Sequence, residues 1–391
     1  MEFKHLVIHK DTDWHSAFPE IIRLKNGDFV CVFRQAPVRK GTGVHRERNA
    51  KVTHFHQDAN SRIALVRSTD HGLTWPIESR TIVDESDGTQ DLNLAMISQV
   101  SSGELIVNNM RLFAYLDEEK KKDIRDERQI MKDRPERPFD SMGFDSLYLT
   151  RSADNGYTWS KPGKFGVPTM DYWTHTGQTG IVELPDGTWL LPFHGHGPND
   201  SSLTESYNGD ESPETAKDRI YIARSTDQGK TWGQPSVVMQ DPDGVVAFHE
   251  PPMIRLSSGR LLIVTRTSGA DNHFYQAHSD DDGWTWQGIH RTSIVGVPSH
   301  LLELENGHVL CTYGYRNAPF GIKACFSYDS GMTWDTNNEI VIRDDGMHLD
   351  LGYPASIQLD DGKILSVYYF HGNDGVRYIG GSIWSEDDVN E

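Results

Sequence analysis

The chain is short of cysteine, of basic residues and of long apolar runs, and each shortage excludes a class of protein. Three of its 391 residues are cysteine, and all three lie in apolar, strand-like runs, which predicts small buried side chains and no disulfide framework. Lys and Arg total 38 against 57 Asp and Glu, a formal charge of −19. So acidic a surface repels nucleic acid and anionic lipid.

No apolar run reaches the roughly 18 residues of a membrane span. Residues 1–10 lack the basic-then-apolar layout of a secretory leader, so the expected location is the cytoplasm, or the exterior if a leader has been removed. Homo-oligomer formation is left open. By contrast, 35 glycines and ten tryptophans indicate many short strands joined by tight turns.

One pattern, Ser-x-Asp-x-Gly-x-Thr-Trp, recurs five times and organises the chain. The copies span residues 68–75, 152–159, 225–232, 279–286 and 327–334. Each follows a strand-like run, and its residue types suit a turn: Ser and Asp oxygens accept backbone N–H groups, glycine takes positive φ, and tryptophan supplies an apolar anchor. We interpret the pattern as a structural hairpin turn.

A second, weaker repeat alternates with the first: an apolar run, a turn ending in glycine, and another strand. Its turns end at Gly27, Gly103, Gly187, Gly259, Gly307 and Gly362. Together the repeats predict one all-β domain over residues 1–391, a six-bladed β-propeller with four-stranded antiparallel blades. Residues 3–9 are expected to close the last blade, and residues 117–137 and 197–218 are expected to be insertions.

The five Ser-x-Asp-x-Gly-x-Thr-Trp turns, called Asp boxes below, and the blade count resemble the Asp-box propellers of the sialidase (neuraminidase) superfamily, over essentially the whole chain. The resemblance implies a Tyr nucleophile assisted by a Glu, an Asp acid/base, and three Arg residues that hold the substrate's carboxylate. Tyr353, before Pro354, is similar to the nucleophile, and Glu250, before Pro251, is similar to its base. A neutral phenol suits attack beside an anionic centre, but a pKa of about 10 requires such a base.

For the arginine clamp and the acid/base, the resemblance is less complete. Arg266 and Arg316, each at the end of a predicted second strand, resemble two members of the clamp, and Arg266 should return to the side on which Glu250 begins its hairpin. Asp58, in the loop before the first box, resembles the acid/base.

The third clamp Arg belongs to an Arg-x-Pro element that here reads Ala17-Phe18-Pro19, and its partner Glu is missing from residues 366–370. Losing both is coherent, because either alone would leave an unpaired buried charge. The candidate replacements are Arg34, Arg39, Arg46 and Arg48. The departure argues against strict sialidase activity and leaves another acidic sugar open, such as a uronic or ulosonic acid.

Histidines accumulate near the starts of the predicted inner strands, at His15, His175, His249, His300 and His348. Such a cluster suits sugar hydroxyls, proton transfer or a metal. No spacing such as His-Glu-x-x-His is present, so no metal and no cofactor are predicted. The expected substrate-binding residues are Arg266, Arg316, Arg34, His249, His300, His175 and His348.

Three functions are compatible with these residues. The leading prediction is a sialidase-like exo-glycoside hydrolase for a terminal acidic sugar, with Tyr353, Glu250 and Asp58 catalytic. The second is a polysaccharide lyase, in which Tyr353 or a histidine abstracts the proton beside a uronate carboxylate. The third is a glycan-binding propeller without activity. In each case carbohydrate is the expected partner, without nucleic acid or membrane.

Overall fold

The computed structural model describes residues 3–38, 58–113, 130–131, 142–170, 173–196, 218–269 and 272–386. These residues form almost entirely antiparallel β-structure, with short 3-10 turns that include Ile77–Ser79 and Thr336–Asn338. Within these ranges no helix is long and apolar enough to cross a membrane. Apart from residues 130–131 and Asp218, the two predicted insertions lie outside the described residues.

Six antiparallel sheets form the blades of a ring. The chain begins with β1 (Lys4–His9), which belongs to the last blade. The first blade comprises β2 (Trp14–Arg23), β3 (Phe29–Pro37), β4 (Arg62–Ser68) and β5 (Thr81–Glu85). The second comprises β6 (Gln90–Gln99), β7 (Leu105–Phe113), β8 (Ile130–Met131), β9 (Met142–Ser152) and β10 (Gly163–Phe165). The third comprises β11 (Trp173–Thr176), β12 (Val182–Glu183), β13 (Trp189–His196), β14 (Arg219–Ser225) and β15 (Ser236–Met239).

The other three blades follow the same plan. The fourth comprises β16 (Ala247–His249), β17 (Met253–Arg255), β18 (Leu261–Ser268), β19 (His273–Ser279) and β20 (Gln287–Val295). The fifth comprises β21 (Ser299–Glu303), β22 (Val309–Tyr315), β23 (Phe320–Ser327) and β24 (Ile340–Gly346). The sixth comprises β25 (Gly352–Gln358), β26 (Ile364–His371) and β27 (Arg377–Trp384). Its outer strand is β1, which pairs antiparallel with β27. The predicted six-bladed fold and its closure by the N-terminal strand are confirmed.

Apolar side chains fill the space between neighbouring blades. Between the last blade and the first, one buried cluster unites Ile8, Phe33, Val66, Leu365 and Ile379. Each blade buries both faces against its neighbours, so the sheet edges among the described residues are the inner strands around the centre and the outer strands at the circumference.

The five Asp boxes make the same turn on one face of the ring. In the first box, Ser68 Oγ donates to Asp70 Oδ1 at 2.7 Å and accepts from Gly72 N at 2.9 Å. Asp70 Oδ1 also accepts from Thr74 N at 2.9 Å. Gly72 has a φ of 81°, and a Cβ at this position would lie 2.8 Å from Leu365 Cδ2. The turn therefore requires glycine for both its backbone and its space.

The opposite face carries a second repeated feature, a kink near the start of the inner strand. The registers of β2, β6 and β25 shift there, and the fourth blade's inner strand is split into β16 and β17. The kink residues with positive φ are Phe18 (58°), Leu94 (37°), Glu250 (51°) and Tyr353 (48°). Three of them precede a proline, which has no N–H for the ladder. Such a backbone costs about 1–3 kcal/mol per residue, so the surrounding fold must hold it.

Candidate active site

Two of the kinks bring Tyr353 and Glu250 together. The Tyr353 hydroxyl donates to Glu250 Oε1 at 2.6 Å, and Arg266 Nε lies 3.2 Å from Glu250 Oε2. Both kink residues are buried, with exposed fractions of 7% and 6%. The phenol, the carboxylate and the guanidinium that were predicted from distant parts of the chain thus form one cluster.

The proton of this pair is held by the phenol. Burial raises the pKa of the Tyr353 hydroxyl well above its usual value, and the Glu250 charge adds to the increase. Burial would also raise the pKa of Glu250, but the Arg266 charge and the hydrogen bond from the Tyr353 hydroxyl bring it below its usual value. At neutral pH Glu250 is therefore an ionised acceptor facing a neutral phenol.

Arg316 is held beside this pair by a chain of hydrogen bonds. Its Nε donates to a backbone carbonyl and its Nη2 to the Tyr369 hydroxyl, both at 3.1 Å. Tyr369 donates to Asp350 Oδ1 at 2.7 Å, and Asp350 Oδ2 accepts from Arg377 Nη1 at 2.9 Å. The Arg316 Cζ lies 5.8 Å from the centre of the Tyr353 ring. The guanidinium is therefore oriented before any ligand arrives.

Four arginines near the site fall into two groups by solvent exposure: Arg266 and Arg316, and Arg34 and Arg377. The Arg266 side chain is 25% exposed, and Arg316 is also partly exposed. Arg34 and Arg377 are 1% and 0% exposed, and they are paired with the buried carboxylates of Asp91 and Asp350. Of these four, Arg266 and Arg316 are the two whose side chains are open to solvent. Arg39, Arg46 and Arg48 lie outside the described residues.

Ala17 stands where the resemblance implied an arginine, and the next residue, Phe18, packs against the proposed nucleophile. Its ring centre lies 4.7 Å from that of Tyr353 and 5.5 Å from that of Tyr369. Instead of the missing arginine and glutamate, the sixth blade provides the buried Asp350–Arg377 pair, which is not predictable from the motif positions. The only local signal was the position of Asp350, three residues before Tyr353.

Asp58, the predicted acid/base, lies between the first two blades. Its backbone N–H donates to Asp91 Oδ1 at 3.0 Å, and its own Oδ1 accepts from Asn60 N at 2.9 Å. It is 2% exposed. These bonds tie it to the buried Arg34–Asp91 pair, and its part in catalysis stays a prediction.

The histidines on the kink face of the ring differ in which ring nitrogen carries the proton. Four of them accept a backbone N–H at Nδ1, at 2.9–3.3 Å: His15, His194, His300 and His348. Since a neutral imidazole has one proton, that proton lies on Nε2. Burial lowers the pKa of His300 to about 4 and that of His15 to about 3. These two are therefore neutral Nε2–H donors at neutral pH.

His175 has the opposite arrangement. Its Nδ1 lies 3.0 Å from the Thr176 carbonyl, which only accepts, so Nδ1 carries the proton and Nε2 the lone pair. The other predicted histidine of this group, His249, has Nδ1 3.4 Å from Asp218 Oδ2 and Nε2 2.9 Å from Ser268 Oγ.

Two groups of side chains bring three metal-ligating atoms close together among the described residues: His194, Asp218 and His249, and His348, Asp350 and His371. The hydrogen bonds argue against a metal at either. The backbone N–H groups occupy the Nδ1 lone pairs of His194 and His348, leaving protonated Nε2 atoms, and both Asp350 oxygens already accept hydrogen bonds. These donor sets do not fit a cation.

Comparisons with known proteins agree with this architecture. A family model described as "BNR repeat-like domain" matches residues 139–366, more than half of the chain. The chain belongs to that family and is an Asp-box propeller of the sialidase superfamily, which confirms the resemblance read from the sequence.

A curated sialidase of Bacteroides fragilis is 26% identical over 208 residues, which cover 48% of this chain and 36% of that protein. The match thus spans little more than a third of the relative's length.

Two solved structures cover almost the whole chain. A Dyadobacter fermentans protein of unknown function is 27% identical with a TM-score of 0.77, covering 97% of this chain and 98% of that one. The Hadza microbial sialidase Hz136 is 16% identical with a TM-score of 0.63, covering 96% of this chain and 66% of that one. The second likeness shows the fold alone.

Proposed function

We propose that this protein is an exo-acting, sialidase-like glycoside hydrolase that releases a terminal sugar bearing a carboxylate. The observation that carries the proposal is the 2.6 Å hydrogen bond from the Tyr353 hydroxyl to Glu250 Oε1. A neutral phenol bonded to an ionised carboxylate is a nucleophile with its base in place. A phenol also avoids the repulsion that a carboxylate nucleophile would meet beside an anionic sugar.

The reaction proceeds in two displacements. Tyr353 Oη bonds to the anomeric carbon as the bond to the leaving oxygen breaks; the phenol's proton passes to Glu250, and the Asp58 carboxyl protonates the leaving oxygen. Water then attacks the anomeric carbon and gives a proton to Asp58, while the departing phenolate recovers its proton from Glu250. The anomeric configuration is retained.

The exposed charges support the proposed substrate class. Arg266 and Arg316 supply two guanidinium groups for a carboxylate, whereas Phe18 presents an uncharged ring beside Tyr353. Two cations and an apolar wall support a uronic or ulosonic acid over a sugar that needs three arginines.

The experiment is a panel of aryl glycosides of glucuronic, galacturonic, sialic and 3-deoxy-ulosonic acids, with neutral sugars for comparison. We expect turnover of at least one acidic substrate and of no neutral one, with retained configuration in the first product by NMR. Tyr353→Phe should lower kcat at least about 100-fold. The matched control is Tyr328→Phe, which removes a hydroxyl from a half-exposed ring in the fifth Asp box, on the opposite face of the ring.

Two outcomes would contradict hydrolysis. A product with a new ultraviolet-absorbing double bond from a uronate-containing glycan would make the protein a lyase. Ligand binding with no product after long incubation would make it a binding propeller.

A further inference from the structure

His175 lies close to the proposed catalytic pair. Its ring centre is 4.7 Å from that of His194, and His194 Nδ1 accepts the backbone N–H of Glu250 at 2.9 Å. Glu250 and Arg266 both act electrostatically on the imidazole. The side chain is mostly buried but keeps 8% of its surface exposed.

The two neighbouring imidazoles present opposite groups. The Glu250 N–H occupies Nδ1 of His194, which places a proton on its Nε2, directed towards Asp218 at 3.9 Å. The Thr176 carbonyl takes the Nδ1 proton of His175, which leaves a lone pair on Nε2. Burial lowers the pKa of His175, against the opposing influence of Glu250, so the imidazole is neutral at neutral pH and the lone pair persists.

The charged groups of the proposed site leave few acceptors for a ligand. Arg266 and Arg316 only donate, and Glu250 already accepts from Tyr353 at one oxygen and faces Arg266 at the other. A carboxylated sugar, however, also carries hydroxyl or amide groups that need an acceptor when they leave water. The Nε2 lone pair of His175, a side chain on which Glu250 and Arg266 act electrostatically, offers one.

We infer that His175 Nε2 accepts a hydrogen bond from a hydroxyl or amide N–H of the acidic sugar held by Arg266, making His175 a specificity-determining residue. The inference rests on the proposed function for its ligand class. A site built to accept a donor discriminates against analogues that lack it, because the acceptor is then buried without a partner.

Two substitutions at His175 distinguish the loss of the Nε2 acceptor from the loss of the rest of the imidazole ring. His175→Gln places an amide oxygen near the position of Nε2, whereas His175→Asn reaches only the position of Nδ1 and the Thr176 carbonyl. The exposed His290→Gln is the control. Binding is titrated calorimetrically with free glucuronic, galacturonic, N-acetylneuraminic and 3-deoxy-ulosonic acids in protein that keeps Tyr353, so that Glu250 stays hydrogen-bonded. These monosaccharides have no glycosidic bond to cleave, so turnover plays no part.

We expect His175→Asn to weaken the best acidic sugar about 10-fold and His175→Gln to stay within about 3-fold, the range of one neutral hydrogen bond. Among analogues in which one hydroxyl is replaced by fluorine, one should bind the parent protein about 10-fold more weakly than the unmodified sugar does. The same analogue and the unmodified sugar should bind His175→Asn equally, because that variant already lacks the hydrogen bond. Equal affinity in parent and His175→Asn protein, or binding of no acidic sugar, would overturn the inference.

The tautomer is checked without any ligand. Nitrogen-15 ring shifts should show a protonated Nδ1 for His175 and a protonated Nε2 for His194; a protonated Nε2 on His175 would overturn the inference. If sugars bind in a His175-dependent way but no glycoside is cleaved, the proposed function fails and the inference stands. If glycosides are cleaved but His175→Asn binds the sugar as tightly as the parent protein does, the inference fails and the proposed function stands.

Discussion

The two repeated features of the ring, the Asp boxes on one face and the kinks on the other, use repetition in opposite ways. The boxes repeat their side chains: serine, aspartate, glycine and threonine make the same hydrogen bonds in each copy. The kinks repeat only a backbone, since Phe18, Leu94, Glu250 and Tyr353 share a positive φ and no chemistry. Repeated side chains stabilise a turn, whereas a repeated backbone supplies one variable position in each of four blades for a site.

If this contrast is correct, the largest effect of a kink substitution is on activity. Glu250→Gln keeps the shape of the side chain but removes the charge that accepts the Tyr353 proton, so kcat should fall by about 10²–10⁴-fold. The thermal unfolding midpoint is measured alongside, with the exposed Glu78→Gln as control. Activity within 10-fold of the parent would show that this kink is a structural feature like the boxes.

Tyr369→Phe should have the next largest effect. It removes the hydroxyl between Arg316 and Asp350, so Arg316 is less well positioned for the carboxylate and KM should rise about 10-fold, with kcat changed less. A structural role alone would lower the unfolding midpoint and leave KM unchanged. Steady-state kinetics on the best acidic glycoside distinguishes the two.

Gly72→Ala tests the box side of the comparison. It adds a Cβ 2.8 Å from Leu365 Cδ2 at a φ of 81°, so unfolding by denaturant should show a loss of about 1–3 kcal/mol. Gly27→Ala is the matched control: its φ is 92°, but a Cβ there meets nothing within 4 Å, and the loss should be smaller. Neither variant should change kcat. Equal losses would mean that strain, not contact with the next blade, requires the box glycine.

The smallest effect is the pH dependence of the boxes. Hydrogen bonds from Thr231 lower the pKa of the Asp227 carboxyl to about 2, below the value of about 3.9 in an unfolded chain. Its contribution to stability is therefore complete above about pH 4 and lost as the pH falls towards about 2. Asp227→Asn should lower the unfolding midpoint most at pH 5, and the gap should narrow towards pH 2. A gap that stays constant would exclude the charge as the cause.

The sequence was sufficient for the scaffold because each box is local. Serine, aspartate, glycine and threonine within a few residues satisfy one another's hydrogen bonds, so the turns and hence the blades are visible without any long-range information. The closing strand is the exception, since residues 3–9 pair with the other end of the chain; it was assigned because the last blade lacked an outer strand.

The site was visible only in part. Tyr353, Glu250, Arg266 and Arg316 were found through their positions in strands of a familiar plan. Asp350, Tyr369 and Arg377 were missed, because their roles depend on which buried charge each one meets. The tautomer of His175 was equally hidden, since it depends on whether a carbonyl or an N–H of the folded backbone faces Nδ1.

By itself the sequence determined the number of blades, their turns and the residue types available to the site, because these depend on contacts between near neighbours in the chain. Only the tertiary structure decided which arginines are sealed in ion pairs and which remain exposed, and which ring nitrogen of each histidine carries the proton. Those properties arise where separate blades meet, and burial there makes every unpaired charge or lone pair costly.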